Sequence, residues 1–228
     1  MSVAKLLRRV GQSFLAGALL SSCLFAQERS ASAQAPSAHD LAKRVDHHYD
    51  KLHSLKAGFT ENYAGLGMQR TESGTLLLEK PGRMKWEYSS PPGKIFLLDG
   101  KQAWFYTKGD AQVQRIPAKE LDDLRSPLRF LLGHTNLEKE ISNLTVAAAP
   151  NSEFLLTGQP SGQEKRVTRL TLTVTAAGTI TAIEIEEADG ALTRFTFTGE
   201  QPDTAIPPQT FKFTPPPGVP VVDAMPPV

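Results

Sequence analysis

The chain has 228 residues, of which 25 are basic and 24 acidic, and it contains a single cysteine. This near balance of charge argues against a nucleic-acid ligand, because phosphate binding requires a clustered basic surface. One cysteine cannot form an internal disulfide or a cysteine-ligated metal cluster.

The N-terminal residues predict export from the cytoplasm. Residues 1–33 combine a basic start, an apolar stretch and a small-residue cleavage site at Ala31-Ser32-Ala33. We expect this signal peptide to be removed. Residues 34–228 then have a net charge of −2 and are long enough to form a single domain in the periplasm.

The cysteine allows a second interpretation of the same segment. Leu20-Ser21-Ser22-Cys23 resembles a bacterial lipobox, in which cleavage before the cysteine leaves that residue free for lipidation. We favour a cysteine that is discarded with the signal. A chain lipidated at Cys23 and anchored to a membrane is the alternative.

The first element of the predicted domain is an amphipathic helix. Ser37-Ala38-His39-Asp40 has the pattern of a capping box, which starts a helix. The neighbouring histidines do not converge at helical spacing, so we predict no metal site. The apolar stripe of the helix recurs every three or four residues: Leu41, Val45, His48, Tyr49, Leu52 and Leu55.

After the helix the apolar period changes to two, which is typical of strands with one buried face. Met84, Trp86 and Tyr88 alternate with charged residues, and Asp99-Gly100 predicts a hairpin turn. The same alternation predicts later strands around residues 170–175, 183–186, 194–198 and 211–213.

A second helical stretch, at residues 117–133, is unusually apolar. Ser126 and Pro127 are typical of a helix start, and Gly133 is typical of a helix end. Few helices are available to cover the apolar face of the sheet. Its large side chains can fill a core or line a cavity, and the scarcity of polar groups among them favours a cavity for an apolar ligand.

Motifs for catalysis and cofactor binding are missing from the sequence. There is no Gly-x-Ser-x-Gly elbow and no glycine-rich phosphate loop before a helix. The carboxylate clusters fit the wet faces of helices and strands. We therefore predict a protein that is not an enzyme and that needs no cofactor.

An ordered set of short segments extends along almost the whole predicted domain. These are Phe59-Thr60, Gly74 to Trp86, Asp99-Gly100-Lys101 with Trp104-Phe105-Tyr106, Ser126-Pro127-Leu128 with Phe130-Leu131, and Phe211 to Pro216 with Gly218-Val219. The set resembles the LolA family, periplasmic carriers that take lipoproteins from the inner to the outer membrane.

The resemblance implies a fold and a function. The fold is α+β but mostly β: an incomplete, unclosed antiparallel β-barrel with a helical lid over an apolar cavity. The function is that of a monomeric chaperone for the acyl chains of lipoproteins. Its implied partners are an inner-membrane ABC lipoprotein-releasing complex and an outer-membrane lipoprotein acceptor. The alternatives are a membrane-anchored acceptor of the same fold and a general lipid-binding protein of the envelope.

The resemblance and the apolar pattern also assign site residues. In this family an arginine before the proline that is here Pro81 ties the closed lid to the barrel, and this chain has Lys80 at that position. Lysine lacks the planar fork of donors that arginine has, so we expect a weaker latch. The residues expected to bind acyl chains are Val45, Tyr49, Leu52, Leu55, Phe59, Met84, Trp86, Trp104, Leu128, Phe130, Leu131 and Leu132.

Overall fold

The computed structural model describes residues 35–119 and 136–224. Two α-helices lie entirely within these ranges, α1 at Ala38–Lys51 and α2 at Leu137–Glu140, and residues 118–119 are also helical. Short 3₁₀ turns occur at Pro150–Ser152 and Pro208–Phe211. The strands are β1 Ser54–Gly65, β2 Met68–Glu79, β3 Arg83–Ser90, β4 Pro92–Asp99, β5 Gln102–Thr107, β6 Val113–Pro117, β7 Ile141–Ala148, β8 Phe154–Pro160, β9 Val167–Val174, β10 Ile180–Glu187, β11 Leu192–Pro202 and β12 Val221–Asp223.

All twelve strands belong to one sheet, in the order β12-β6-β5-β4-β3-β2-β1-β11-β10-β9-β8-β7. Neighbours are antiparallel except β12 and β6, which pair in parallel. Within the described ranges no ladder joins the two edge strands, β7 and β12, so the sheet is not closed. The predicted fold class, mostly β with an unclosed antiparallel sheet, is confirmed.

Helix α1 begins where the sequence predicts. The Ser37 side chain accepts a hydrogen bond from the Asp40 backbone N–H at 3.1 Å, which satisfies one of the unpaired donors of the first turn. The helix ends at Lys51, before the predicted end. Leu52 is its C-cap and Leu55 lies in β1.

The expectation that Leu52 and Leu55 continue the helix is therefore wrong. From Ser54 onward the backbone hydrogen-bonds to β2 on one side and to β11 on the other, and Leu55 stands between Leu78 and Pro202. Pairing on both sides satisfies the N–H and C=O groups of this segment. The three- and four-residue spacing of its leucines does not decide its conformation.

The face of the sheet that carries α1 is called the inner face. Met84, Trp86 and Tyr88 of β3 point to it, as their alternation predicts. The predicted Asp99-Gly100 hairpin joins β4 to β5, and the Asp99 carboxylate accepts the backbone N–H groups of Lys101 and Gln102 at 2.8 and 2.7 Å. The buried residues of α1 and those of the inner face belong to one hydrophobic cluster.

The opposite, outer face of β3–β5 is covered by the segment 207–214. The Arg83 guanidinium lies over the Phe211 ring, with 5.6 Å between Cζ and the ring centroid. Phe213 packs on Trp104 with 5.4 Å between ring centroids. The predicted strand at 211–213 is wrong: the prolines on both sides of this segment lack the N–H that a ladder requires. The last strand is β12, further along the chain.

Candidate functional site

The inner face is apolar near the β2–β3 turn. Leu55, Leu78, Met84 and Leu98 lie side by side on four adjacent strands, because each is directly opposite the next in the sheet register. All four are buried. Side chains at such opposed positions are in contact distance, so they form one continuous aliphatic surface.

Aromatic rings occupy the middle of the inner face. Phe59 packs edge-on against Trp86 with 4.6 Å between ring centroids, and Trp86 packs against Phe195 at 5.3 Å. The Trp86 indole N–H donates to the Met84 sulfur at 2.9 Å. A thioether is a weak acceptor, so even the polar atom of this tryptophan lies in apolar surroundings.

Helix α1 covers part of the inner face with Val45 and Tyr49, which are both buried. The Tyr49 hydroxyl accepts the Ile180 backbone N–H at 3.1 Å and donates to Glu200 at 3.4 Å. Burial raises the pKa of Tyr49 well above its ordinary value. Because the hydroxyl stays protonated, it can make both hydrogen bonds and hold α1 on β10 and β11.

Lys80 lies in the β2–β3 turn, at the C-terminal end of α1. Its ammonium donates to the carbonyl oxygens of Tyr49 and Asp50, the latter at 3.1 Å. The last carbonyls of a helix have no partner within the helix and carry partial negative charge, so a cation is favoured there. Burial lowers the pKa of Lys80. The structure thus joins the predicted latch residue to the covering helix.

A charged cluster occupies the inner face at the other end of these strands. Glu61 and Glu72 are buried, 8% and 5% exposed, and are paired with Arg70, Lys94 and Tyr88. This cluster was not predicted from the sequence. The signal was available, because Glu61 and Glu72 have the same strand parity as the buried Phe59 and the inner-facing Gly74.

The structure brings together most of the predicted acyl-binding residues but not all. Trp104 is opposite Leu97 and Arg115 and packs on Phe213, so it lies on the outer face. This corrects the expectation that Trp104 belongs to the same surface. Leu128, Phe130, Leu131 and Leu132 lie outside the described residues. Those that share one buried cluster are Val45, Tyr49, Leu52, Leu55, Phe59, Met84 and Trp86.

The histidines in and near α1 have different partners. His39 pairs with Glu138 and His48 with Glu200, each at 2.8 Å. In the part of the chain that the structure describes, no group of three His, Cys, Asp or Glu side chains could hold a metal ion. Over the same residues, no helix combines the length and the apolar character that a membrane crossing requires.

Fold and site together define an unclosed antiparallel β-sheet protein whose apolar inner face is sheltered by a helix. Comparison with known families agrees with this class. The family model described as outer membrane lipoprotein carrier protein LolA matches residues 50–214. The chain belongs to this family.

Individual relatives extend the similarity over most of the chain. It is 31% identical over 155 residues to the outer-membrane lipoprotein carrier protein of Nitrosospira multiformis, which covers 67% of this chain and 73% of the relative. It is 30% identical over 208 residues to the protein of the same name from Photorhabdus laumondii, with 90% and 97% covered.

A solved structure also shows a similar fold. An uncharacterized conserved protein from Thermus thermophilus has a TM-score of 0.53 and 12% sequence identity, covering 82% of this chain and 99% of that one. At this identity the similarity concerns the fold alone.

Proposed function

We propose that this protein carries lipoproteins between membranes by binding their acyl chains on the inner face of the sheet. The observation that supports this most strongly is the continuous apolar inner face, in a chain of the lipoprotein-carrier family. The proposed acyl-binding residues are Val45, Tyr49, Leu52, Leu55, Phe59, Met84 and Trp86, together with Leu128, Phe130, Leu131 and Leu132 of the undescribed segment.

The energy of acyl exposure explains why such a carrier is needed. Burying a methylene group is worth about 0.8 kcal/mol, so exposing one acyl chain to water costs on the order of 10 kcal/mol. A lipoprotein cannot cross an aqueous compartment unaided at that cost. A protein with an apolar face that can be covered supplies the missing environment.

Release requires that binding be reversible. In the structure, Phe59, Trp86 and Phe195 bury one another, and α1 covers the same face. An acyl chain must replace these contacts, so its net affinity is the difference between two sets of apolar contacts. That difference is smaller than the gross burial energy and allows the cargo to leave.

The proposed route follows from the family and the export signal. Residues 34–228 act as a single periplasmic domain, loaded by an inner-membrane ABC lipoprotein-releasing complex and unloaded to an outer-membrane acceptor. The chain is a carrier without catalytic activity. Its sequence has no nucleotide-binding motif, so the energy for loading comes from the releasing complex.

Direct binding tests this function. The purified domain should bind a synthetic diacylated lipopeptide and leave the same peptide without acyl chains unbound, as measured by calorimetry. Equal binding of the two peptides, or binding of neither, would refute acyl recognition.

A membrane-anchored acceptor is the second candidate function, and the Leu20–Cys23 segment is the observation that favours it. The intact mass of the protein isolated from its host separates the two. A soluble chain starting at or near Gln34 supports the carrier, whereas a triacylated chain starting at Cys23 supports the acceptor.

A further inference from the structure

The charged cluster at the far end of the inner face has a layout that its own stability does not explain. It comprises two carboxylates (Glu61 and Glu72), two cations (Arg70 and Lys94) and the Tyr88 hydroxyl. Burying charged groups is costly unless they are paired, and even well-paired buried ions are often no more stabilising than apolar residues of the same size. Stability of the fold therefore does not by itself require charged side chains at the two buried positions.

Each carboxylate of the cluster has at least two partners. Glu61 accepts the Tyr88 hydroxyl at 2.9 Å and lies 3.5 Å from Arg70. Glu72 lies 3.3 Å from Arg70 and also pairs with Lys94. The four charged groups sum to zero, so the cluster is neutral as a whole.

The cluster is continuous with the apolar surface. The Tyr88 ring packs edge-on against Phe59 with 5.0 Å between centroids, while its hydroxyl bonds to Glu61. The Lys94 ammonium lies 4.2 Å from the centroid of the same ring. One face of the sheet therefore changes from aliphatic at Leu55, through aromatic, to ionic, within about 20 Å of strand.

The two cations of the cluster are more exposed than its two carboxylates. The Arg70 and Lys94 side chains are 50% and 28% exposed, whereas those of Glu61 and Glu72 are 10% and 6% exposed. A ligand that reaches the cluster meets N–H groups first and therefore must offer acceptor oxygens. Because carboxylates lie directly behind these donors, a neutral acceptor is favoured over a phosphate, which they would repel.

We propose that this cluster binds the neutral ester and amide carbonyls that link the acyl chains to the lipoprotein polypeptide. The inference rests on the proposed function and adds an orientation to it. The linkage lies at Arg70 and Lys94, and the acyl chains run along the inner face toward Lys80. The polypeptide then leaves the site at the charged end.

Two probes and a matched pair of double variants test this orientation. The probes are a synthetic diacylated lipopeptide and an apolar fluorescent dye with no carbonyl group. Glu72→Met/Lys94→Met removes one ion pair from the cluster. Lys85→Met/Glu87→Met removes another Lys–Glu pair, 3.0 Å apart, from the opposite face of β3, and serves as the control.

The double variant of the cluster should bind the lipopeptide about tenfold more weakly, the effect of losing one charge-assisted hydrogen bond. Its affinity for the dye should equal that of the wild type. The control should bind both probes normally. Removing both partners of a buried pair generally preserves folding, and Lys94→Gln, which leaves Glu72 paired with Arg70, gives a second variant with the same expected direction.

Three results would overturn the inference. The first is a normal lipopeptide affinity in both cluster variants, and the second is an equal loss for lipopeptide and dye. The third is an anionic phospholipid that displaces the dye from the wild type as strongly as the lipopeptide does. In each case the wild type still binds the lipopeptide. A wild type that does not bind it at all refutes the carrier function itself, and this inference with it.

Discussion

The two tryptophans lie on opposite faces of the same sheet and are held by different chemistry. Trp86, on β3, is 2% exposed, and its N–H donates to the Met84 sulfur. Trp104, on β5, is half-buried; its N–H donates to the Asp99 carboxylate at 2.9 Å and its ring lies against Phe213.

This difference separates a surface that can exchange its contacts from one that cannot. A charge-assisted hydrogen bond is directional and is lost when a ring moves. Apolar contacts are non-directional, so an acyl chain can replace them at little net cost. On this basis we expect the inner face to determine ligand binding and the outer face to determine only stability.

The largest predicted effect comes from truncating each tryptophan. Trp86→Ala should reduce lipopeptide affinity more than tenfold, because an indole ring presents about 150–250 Å² of mostly apolar surface. Trp104→Ala should leave that affinity within twofold of the wild type while lowering stability. Calorimetric titration of both variants with the same lipopeptide checks this. Equal losses of affinity would mean that the two faces are not functionally distinct.

Lys80 lies at the edge of the inner face and tests whether α1 competes with the ligand. We propose that Lys80→Leu weakens the covered, empty form by about 1 kcal/mol, allowing for the partial exposure of this side chain. Bound lipopeptide should then leave about fivefold more slowly in the presence of acceptor membranes. Lys80→Arg should speed release, because guanidinium offers more donors to the same carbonyls.

Lys51→Leu is the control for this prediction, since Lys51 is exposed at the same helix end. It should release lipopeptide at the wild-type rate. If Lys80→Leu and Lys80→Arg also release at that rate, Lys80 is only a surface charge of the turn and the latch is refuted.

Strand parity made the inner face of β3 predictable from the sequence, because period-two burial is a local property. The end of α1 was not predictable, since it depends on pairing of β1 with strands distant in the chain. Trp104 was misplaced for a related reason. An aromatic run gives no sign of which face each ring takes until the register with β4 is known.

The charged cluster shows a different limit. Glu61 and Glu72 lie eleven residues apart, and the β1–β2 register places them directly opposite each other. Isolated glutamates are more often exposed to solvent. Their strand parity places each of them on the inner face, and the hairpin register makes them direct neighbours there.

A moderate effect is expected from the segment that covers the outer face. Phe213→Ala removes the ring that packs on Trp104 and Tyr106. Because Phe213 is only half-buried, the loss should be about 1–2 kcal/mol of unfolding free energy, below the range for fully buried rings. Denaturant unfolding measures it. Lipopeptide affinity should stay at the wild-type value, and a large change would contradict the division between the faces.

An effect that depends on pH is expected from Asp46, on the helix that covers the inner face. Burial raises the pKa of Asp46 from 3.8 to about 6, although its carboxylate accepts the Leu137 backbone N–H at 3.2 Å. Between these values the folded chain binds the proton more tightly than the unfolded chain, so this group's contribution to stability falls as pH rises and is lowest above pH 6.

Asp46→Asn keeps an oxygen acceptor without the charge. At pH 7.5 the free energy of unfolding of this variant should exceed that of the wild type by about 1 kcal/mol, after allowance for partial exposure. At pH 4 the two should differ little. Chemical unfolding at both pH values measures the two differences. A gain of equal size at both would show that the substitution acts through packing, and that α1 covers the inner face without a charge penalty at this position.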